Sequence, residues 1–185
     1  MKMKRIPCFF LLLAALAFPV LLTAQGPSAE SEIDVEVTPD VVYGHKDGMA
    51  LTFDVFRPRN AHGGAVLYMV SGGWVSRWSP PEWLIARSFG GLLEKGLTVM
   101  AVRHGSAPRY KVPEAEADVR RALRYIRLHS EQLGVDEDRL GVYGGSAGGH
   151  LSLMLGLASD DGVMDSSDEI MRAPARVAAV VAYYP

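Results

Sequence analysis

The stretch VYGGSAGGHLSL, Val142–Leu153, sets one serine among four glycines. A short apolar run, Leu140–Tyr143, precedes it, and a helical pattern, Ala147–Ala158, follows. Three chemistries use a glycine-rich turn between strand and helix. A dinucleotide fingerprint needs glycines at i, i+2 and i+5. Counting from Gly144 puts Ser146 in the second position, and counting from Gly145 puts Ala147 and His150 in the second and third. A phosphate-cradling loop needs Lys-Ser or Lys-Thr after its last glycine, where this chain has His150-Leu151. The pattern Gly-x-Ser-x-Gly fits in full, as Gly144-Gly145-Ser146-Ala147-Gly148. A nucleophile on a sharp strand-to-helix turn crowds both elements, and glycines two residues to either side relieve that crowding. The reading that competes with it is a tight turn carrying an inert serine.

Working outward, Val35–Tyr43 and Leu51–Val55 read as two strands joined by turn residues His45–Gly48, an antiparallel hairpin whose first strand Pro39 makes irregular. Ala65–Val70 is a continuous apolar run, as in a strand covered on both faces, and Leu97–Val102, Leu140–Tyr143 and Val177–Tyr184 read as further strands, the first and last of them buried. Helices are expected over Pro81–Lys95, Val112–Leu133 and Ala147–Ala158. The order after the hairpin is βαβαβαβ. That predicts an α/β fold, a mostly parallel sheet with helices on both faces. Arg120, Arg121, Arg124 and Arg127 lie off the apolar face of the second helix, where they read as a solvated surface rather than an anion site, and Glu116 can pair with Arg120. The acidic loop of Asp160, Asp161, Asp165, Asp168 and Glu169 is read the same way.

In such a fold the serine stands at the carboxyl end of the sheet, with the positive end of the following helix aimed at it. Attack on an ester needs donors for the developing oxyanion: the amide of Ala147, and others from the loop after the first parallel strand, Ser71-Gly72-Gly73-Trp74. Trp74, Trp78 and Trp83 cluster beside that loop, as packing at the sheet edge or as an aromatic wall for a sugar or phenolic ester. His45, His62, His104 and His129 precede the serine and read as ordinary surface residues. No metal-ligand spacing is present, and neither metal nor cofactor is implied.

The 185 residues suit one domain. A net charge of −2 excludes a strongly basic nucleic-acid binder. Lys2, Lys4 and Arg5 precede the apolar run Ile6–Leu22 and the small Ala24, the order of a cleavable secretory signal. The expected organisation is a signal peptide over 1–24, a linker over 25–32 and a domain over 33–185. The mature chain would be secreted or periplasmic, without a stable membrane span. An uncleaved anchor is the rival, which Pro7 and Pro19 disfavour. Cys8 is the sole cysteine, so no disulfide or cysteine-ligated metal site can form in the mature chain.

From about Val41 to Pro185 the chain resembles the α/β-hydrolase superfamily. Within it, it resembles hormone-sensitive-lipase-like esterases and the feruloyl and acetyl-xylan esterase-like carbohydrate esterases of BD-FAE type. The resemblance rests on Ser71–Trp74, Ala107-Pro108, Pro113 and Asp118, Asp136–Arg139, and above all Gly144–Leu151. It implies a serine ester hydrolase working through an acyl-enzyme on a small-molecule ester, with no cofactor. Ser146 would be the nucleophile, Gly72, Gly73 and Ala147 the oxyanion-hole amides, and His150 structural. Trp74 and Trp78 are the candidate substrate wall.

Two departures stand out. Where the family reads His-Gly-Gly-Gly-Trp, this chain has Val70 and Ser71 for the histidine and first glycine, which implies loss of the anchor that histidine makes. The family's acid and base follow the serine in the order Asp, His, yet His150 is the one histidine after Ser146. The expectation is therefore the N-terminal portion of a longer hydrolase, incomplete at the C-terminus, with acid and base beyond Pro185. The alternatives are an inactive or non-catalytic module of the same fold, and a serine peptidase.

Overall fold

A computed structural model describes residues 33–185. The expected signal peptide (1–24) and linker (25–32) lie outside them. Strands β1 (Val35–Lys46) and β2 (Met49–Pro58) form the antiparallel hairpin. Its turn is only two residues, Asp47-Gly48, both at positive φ (49° and 82°). That mirror-image turn matches the natural twist of paired strands, so His45 and Lys46 stay in the ladder rather than the turn. Pro39 has no N–H to give, and the register shifts between Thr38 and Val41.

The apolar runs become β3 (Ala65–Met69), β4 (Thr98–Val102), β5 (Leu140–Gly145) and β6 (Ala179–Tyr183). The sheet order is β1-β2-β4-β3-β5-β6. β1–β2 and β2–β4 are antiparallel, and the other three pairs are parallel. Side chains alternate between two cores. Phe53, Leu67, Met100, Val102 and Val142 face α3 (Val112–Leu128) and α4 (Ala147–Leu157), while Phe56, Val99 and Ala101 face the helical segment before β4. Both faces of β3, β4 and β5 are thus covered, which explains their apolar character, whereas β6, expected to be buried like them, is largely exposed because no further element packs on it among the described residues.

That segment was expected as one helix over Pro81–Lys95. It is instead α1 (Pro81–Leu84), a π-turn (Ile85–Phe89) and α2 (Gly90–Leu93), because the Gly90 amide reaches back five residues to the Ile85 carbonyl. A side chain at Gly90 would crowd that carbonyl, at 3.2 Å. α3 stops short of the expected Leu133. At His129 the backbone leaves helical dihedrals, and the imidazole binds the Tyr125 carbonyl at 2.9 Å. A short helix not anticipated, α5 (Glu169–Arg172), starts where the Asp168 carboxylate accepts from the Ile170 amide.

The arginine face of α3 is not solvated. Arg124 is 3% exposed, and its guanidinium meets Asp160, which also binds Arg120 at 3.3 Å. Arg121 meets Asp168 at 2.5 Å. Each acid comes from the 160–172 segment some forty residues downstream, so helix and acidic loop neutralise each other.

Candidate active site

Ser146 sits between β5 and α4 with φ 53° and ψ −125°. A residue with a Cβ is costly in that region, by about 1–3 kcal/mol, and holds there only if its surroundings insist. They do. A Cβ on Gly144 would come within 2.5 Å of the Gly148 carbonyl, and one on Gly148 within 2.6 Å of the Met69 oxygen. The strand and helix can therefore close to this angle only with glycine at both positions. The Ser146 amide donates to the Tyr183 carbonyl at 3.0 Å, tying the turn to the end of β6. Ser146 itself is exposed.

The serine opens into a cavity of about 860 Å³. Val70, Ser71, Gly72, Tyr68, Tyr143 and Trp83 are among the residues that line it. Burial raises the Tyr68 phenol pKa and pushes that of Tyr143 well above its ordinary value, so both present neutral hydroxyls at physiological pH. The Tyr143 hydroxyl donates to the Ser88 carbonyl at 3.1 Å.

The glycine loop is fastened to the elbow, since the Gly148 amide donates to the Ser71 carbonyl at 3.2 Å. Gly72 and Val75 exchange both backbone hydrogen bonds at 3.1 Å, so the Gly72 amide is already engaged inside the loop. Neither the Gly73 nor the Ala147 amide has an acceptor among the described residues. Gly73 lies at φ 57°, the left-handed region that favours glycine. Trp74, also at positive φ (64°), turns its ring away from the cavity onto His150, edge-on at 5.4 Å. Trp78 is 62% exposed and does not line the cavity, whereas Trp83 does. The expected wall of Trp74 and Trp78 is thus not assembled here.

The loop is anchored after all, by a residue read from the sequence as superficial. His104 is 5% exposed, and its Nε2 lies 2.8 Å from the Ser71 hydroxyl. Its Nδ1 lies 2.8 Å from the Gly105 carbonyl. A carbonyl only accepts, so Nδ1 carries the proton and Nε2 accepts from Ser71. Burial holds the imidazole pKa below its ordinary value, against the opposing pull of the Gly105 carbonyl and Asp118. The buried Asp118 accepts the Gly105 amide at 2.9 Å and pairs with Lys46 at 2.5 Å. A continuous polar chain therefore runs from α3 through His104 to the oxyanion loop. Nothing in the local sequence around His104 announces this, because its partner lies 33 residues away.

The remaining histidines stand apart from the serine. His62 binds the Lys95 carbonyl, His129 stacks on Tyr125, His45 is exposed, and His150 packs on Trp74. Among the described residues none hydrogen-bonds Ser146 through its ring. No described helix is long and apolar enough to cross a membrane.

Comparison with known proteins agrees with this architecture. The family model BD-FAE matches residues 53–185. Esterase LipQ of Mycobacterium tuberculosis (strain ATCC 25618 / H37Rv) is 31% identical over 153 residues, 80% of this chain and 35% of that protein. The ethyl acetate hydrolase of Pseudomonas putida is 32% identical over 118 residues, 60% of this chain and 35% of that one. Esterase 2 of Thermogutta terrifontis, solved after phosphorylation by paraoxon, superposes with a TM-score of 0.60 at 25% identity, covering 78% of this chain and 55% of its own. This chain spans about a third of those two curated relatives and about half of that structure. With the elbow, the strand order and a family match over most of its length in agreement, the chain belongs to the BD-FAE family.

Proposed function

We propose that this chain carries the nucleophile half of a serine carboxylic-ester hydrolase. The observation that carries the reading is Ser146 at φ 53° on the floor of a cavity, at the strand-to-helix hinge. Ser146 Oγ attacks the ester carbonyl carbon as its proton passes to a histidine base. The amides of Ala147 and Gly73 receive the oxyanion, joined by that of Gly72 if the Gly72–Val75 turn opens. The tetrahedral intermediate collapses, the alcohol leaves with the proton, and water then releases the acid from the acyl-enzyme. In this reading the base and its carboxylate partner come from outside these 185 residues, since among the described residues no histidine ring hydrogen-bonds Ser146. The relatives named as esterases and as an ethyl acetate hydrolase support this reading. So does a structural neighbour that paraoxon phosphorylates. Carbohydrate or phenolic esters are the proposed substrates, and secretion through the N-terminal leader is the proposed route.

Fluorophosphonate labelling tests the mechanism. The whole protein labels at Ser146 and hydrolyses a neutral aryl butyrate, and Ser146→Ala abolishes both. Labelling that persists in Ser146→Ala overturns the assignment. A second reading, a non-catalytic module, is favoured by the lack of any histidine hydrogen-bonded to Ser146 through its ring. It predicts no hydrolysis by the whole protein either.

A further inference from the structure

The described arginines divide into two groups. Eight are ion-paired with carboxylates: Arg59, Arg103, Arg109, Arg120, Arg121, Arg124, Arg127 and Arg176. Three more donate to backbone carbonyls, Arg57 to Leu133, Arg139 to His62 and Arg172 to Ser166. Arg77 and Arg87 do neither among the described residues, and both line the cavity that holds Ser146. Among the described residues no aspartate or glutamate lines that cavity. Arg87 lies over the ring of Trp83, 5.8 Å from its centroid, and Trp83 lines the same wall.

The contrast has a physical meaning. Among the described residues, Arg77 and Arg87, both exposed, are the two guanidinium groups with neither a carboxylate nor a carbonyl partner, and both line the same concave site. Two guanidinium charges on one cavity favour an anion there, and guanidinium is the side chain whose fork matches a carboxylate. The Trp83 face restrains the Arg87 plane, so less freedom is lost when it binds. We propose that Arg77 and Arg87 form an anion subsite, and that the substrates are esters bearing a second, free carboxylate away from the scissile bond. The inference rests on the ester-hydrolase reading of Ser146 and names its substrate class. The free carboxylate could belong to the acyl part, as in a dicarboxylic monoester, or to the alcohol part, as in an acidic phenol or sugar acid. The chemistry recognised is the same.

Three esters separate these cases in the whole protein: p-nitrophenyl butyrate (neutral), mono-p-nitrophenyl glutarate (acyl-side carboxylate) and 4-butyryloxybenzoate (alcohol-side carboxylate). The double variant Arg77→Gln/Arg87→Gln loses on the order of 10-fold more kcat/KM on a carboxylate-bearing ester than on the neutral one. The excess loss shrinks as NaCl rises from 50 to 500 mM. Whichever anionic ester shows it identifies the side that carries the charge. An equal loss on all three esters overturns the proposal. A separate readout does not need catalysis. In Ser146→Ala, calorimetry compares the uncleavable glutaric monoanilide with neutral valeranilide. Tighter binding of the anion, lost in the triple variant with both arginines changed, supports the subsite even if no ester is turned over. Equal affinity for the two anilides overturns it even if the neutral ester is hydrolysed.

Discussion

At the scale of single residues, His104 shows how a fold can replace a missing motif. The family's loop histidine is absent, with Val70 in its place. The Ser71 hydroxyl, which a glycine could not offer, reaches a different buried imidazole at 2.8 Å. His104→Gln should slow fluorophosphonate labelling of Ser146, because the loop bearing the Gly73 amide loses its buried tether. The pH dependence has a definite sign. The folded pKa of His104 lies below the ordinary histidine value near 6.5. Between the two values the unfolded chain binds a proton that the folded one refuses, so stability falls as pH drops below about 6.5. The variant has no such component. Its stability deficit relative to the parent, measured by denaturant unfolding, should therefore be larger at pH 7.5 than at pH 5.5. A deficit that grows on acidification would mean His104 is protonated in the native state.

At the scale of elements, the 160–172 segment is held to α3 by charge rather than by apolar packing. Asp160 serves Arg120 and Arg124 together, and its carboxylate also accepts the Gly162 amide at 2.8 Å. Burial raises its pKa, but that amide and the two arginines outweigh the effect, and the net pKa is lowered. The stability it contributes is thus present above the ordinary carboxylate range and lost as pH falls through the lowered value. Asp160→Asn strands a guanidinium that is almost fully buried. It should cost about 1–3 kcal/mol and raise amide exchange in residues 160–172 first. Uniform exchange across the domain would place the segment inside the global cooperative unit instead.

At the scale of the whole molecule, the sheet is unevenly protected. Its β1 edge carries a bulge and charged residues, whereas β6 is Ala-Val-Val-Ala-Tyr and, among the described residues, pairs with β5 alone. Val180, Val181, Tyr183 and Tyr184 on and beside β6, and Leu157 at the end of α4, are large apolar side chains left exposed. An apolar edge strand with no outer partner among the described residues invites another strand. The 185-residue chain by itself should associate with rising concentration in sedimentation velocity, and Val181→Lys should shift it toward monomer. Association unchanged by that substitution would put the contact elsewhere.

What the sequence determined is what the backbone enforces locally. The elbow was legible because only glycine fits at Gly144 and Gly148 when strand and helix meet so closely. The central strands were legible because burial on both faces demands apolar residues, and the hairpin because turn residues separate its two strand-forming stretches. Helix ends were less so, since the π-turn at Ile85–Phe89 and the stop at His129 depend on individual hydrogen bonds. What only the tertiary structure decided is how polar side chains far apart in the chain find each other. It buried His104 against Ser71, paired Asp160 with Arg124, and put Trp83 rather than Trp74 on the cavity wall. The reason is physical: backbone geometry is set by a residue and its neighbours, but a buried charge or hydroxyl takes whichever partner the packed sheet and helices bring within about 3 Å.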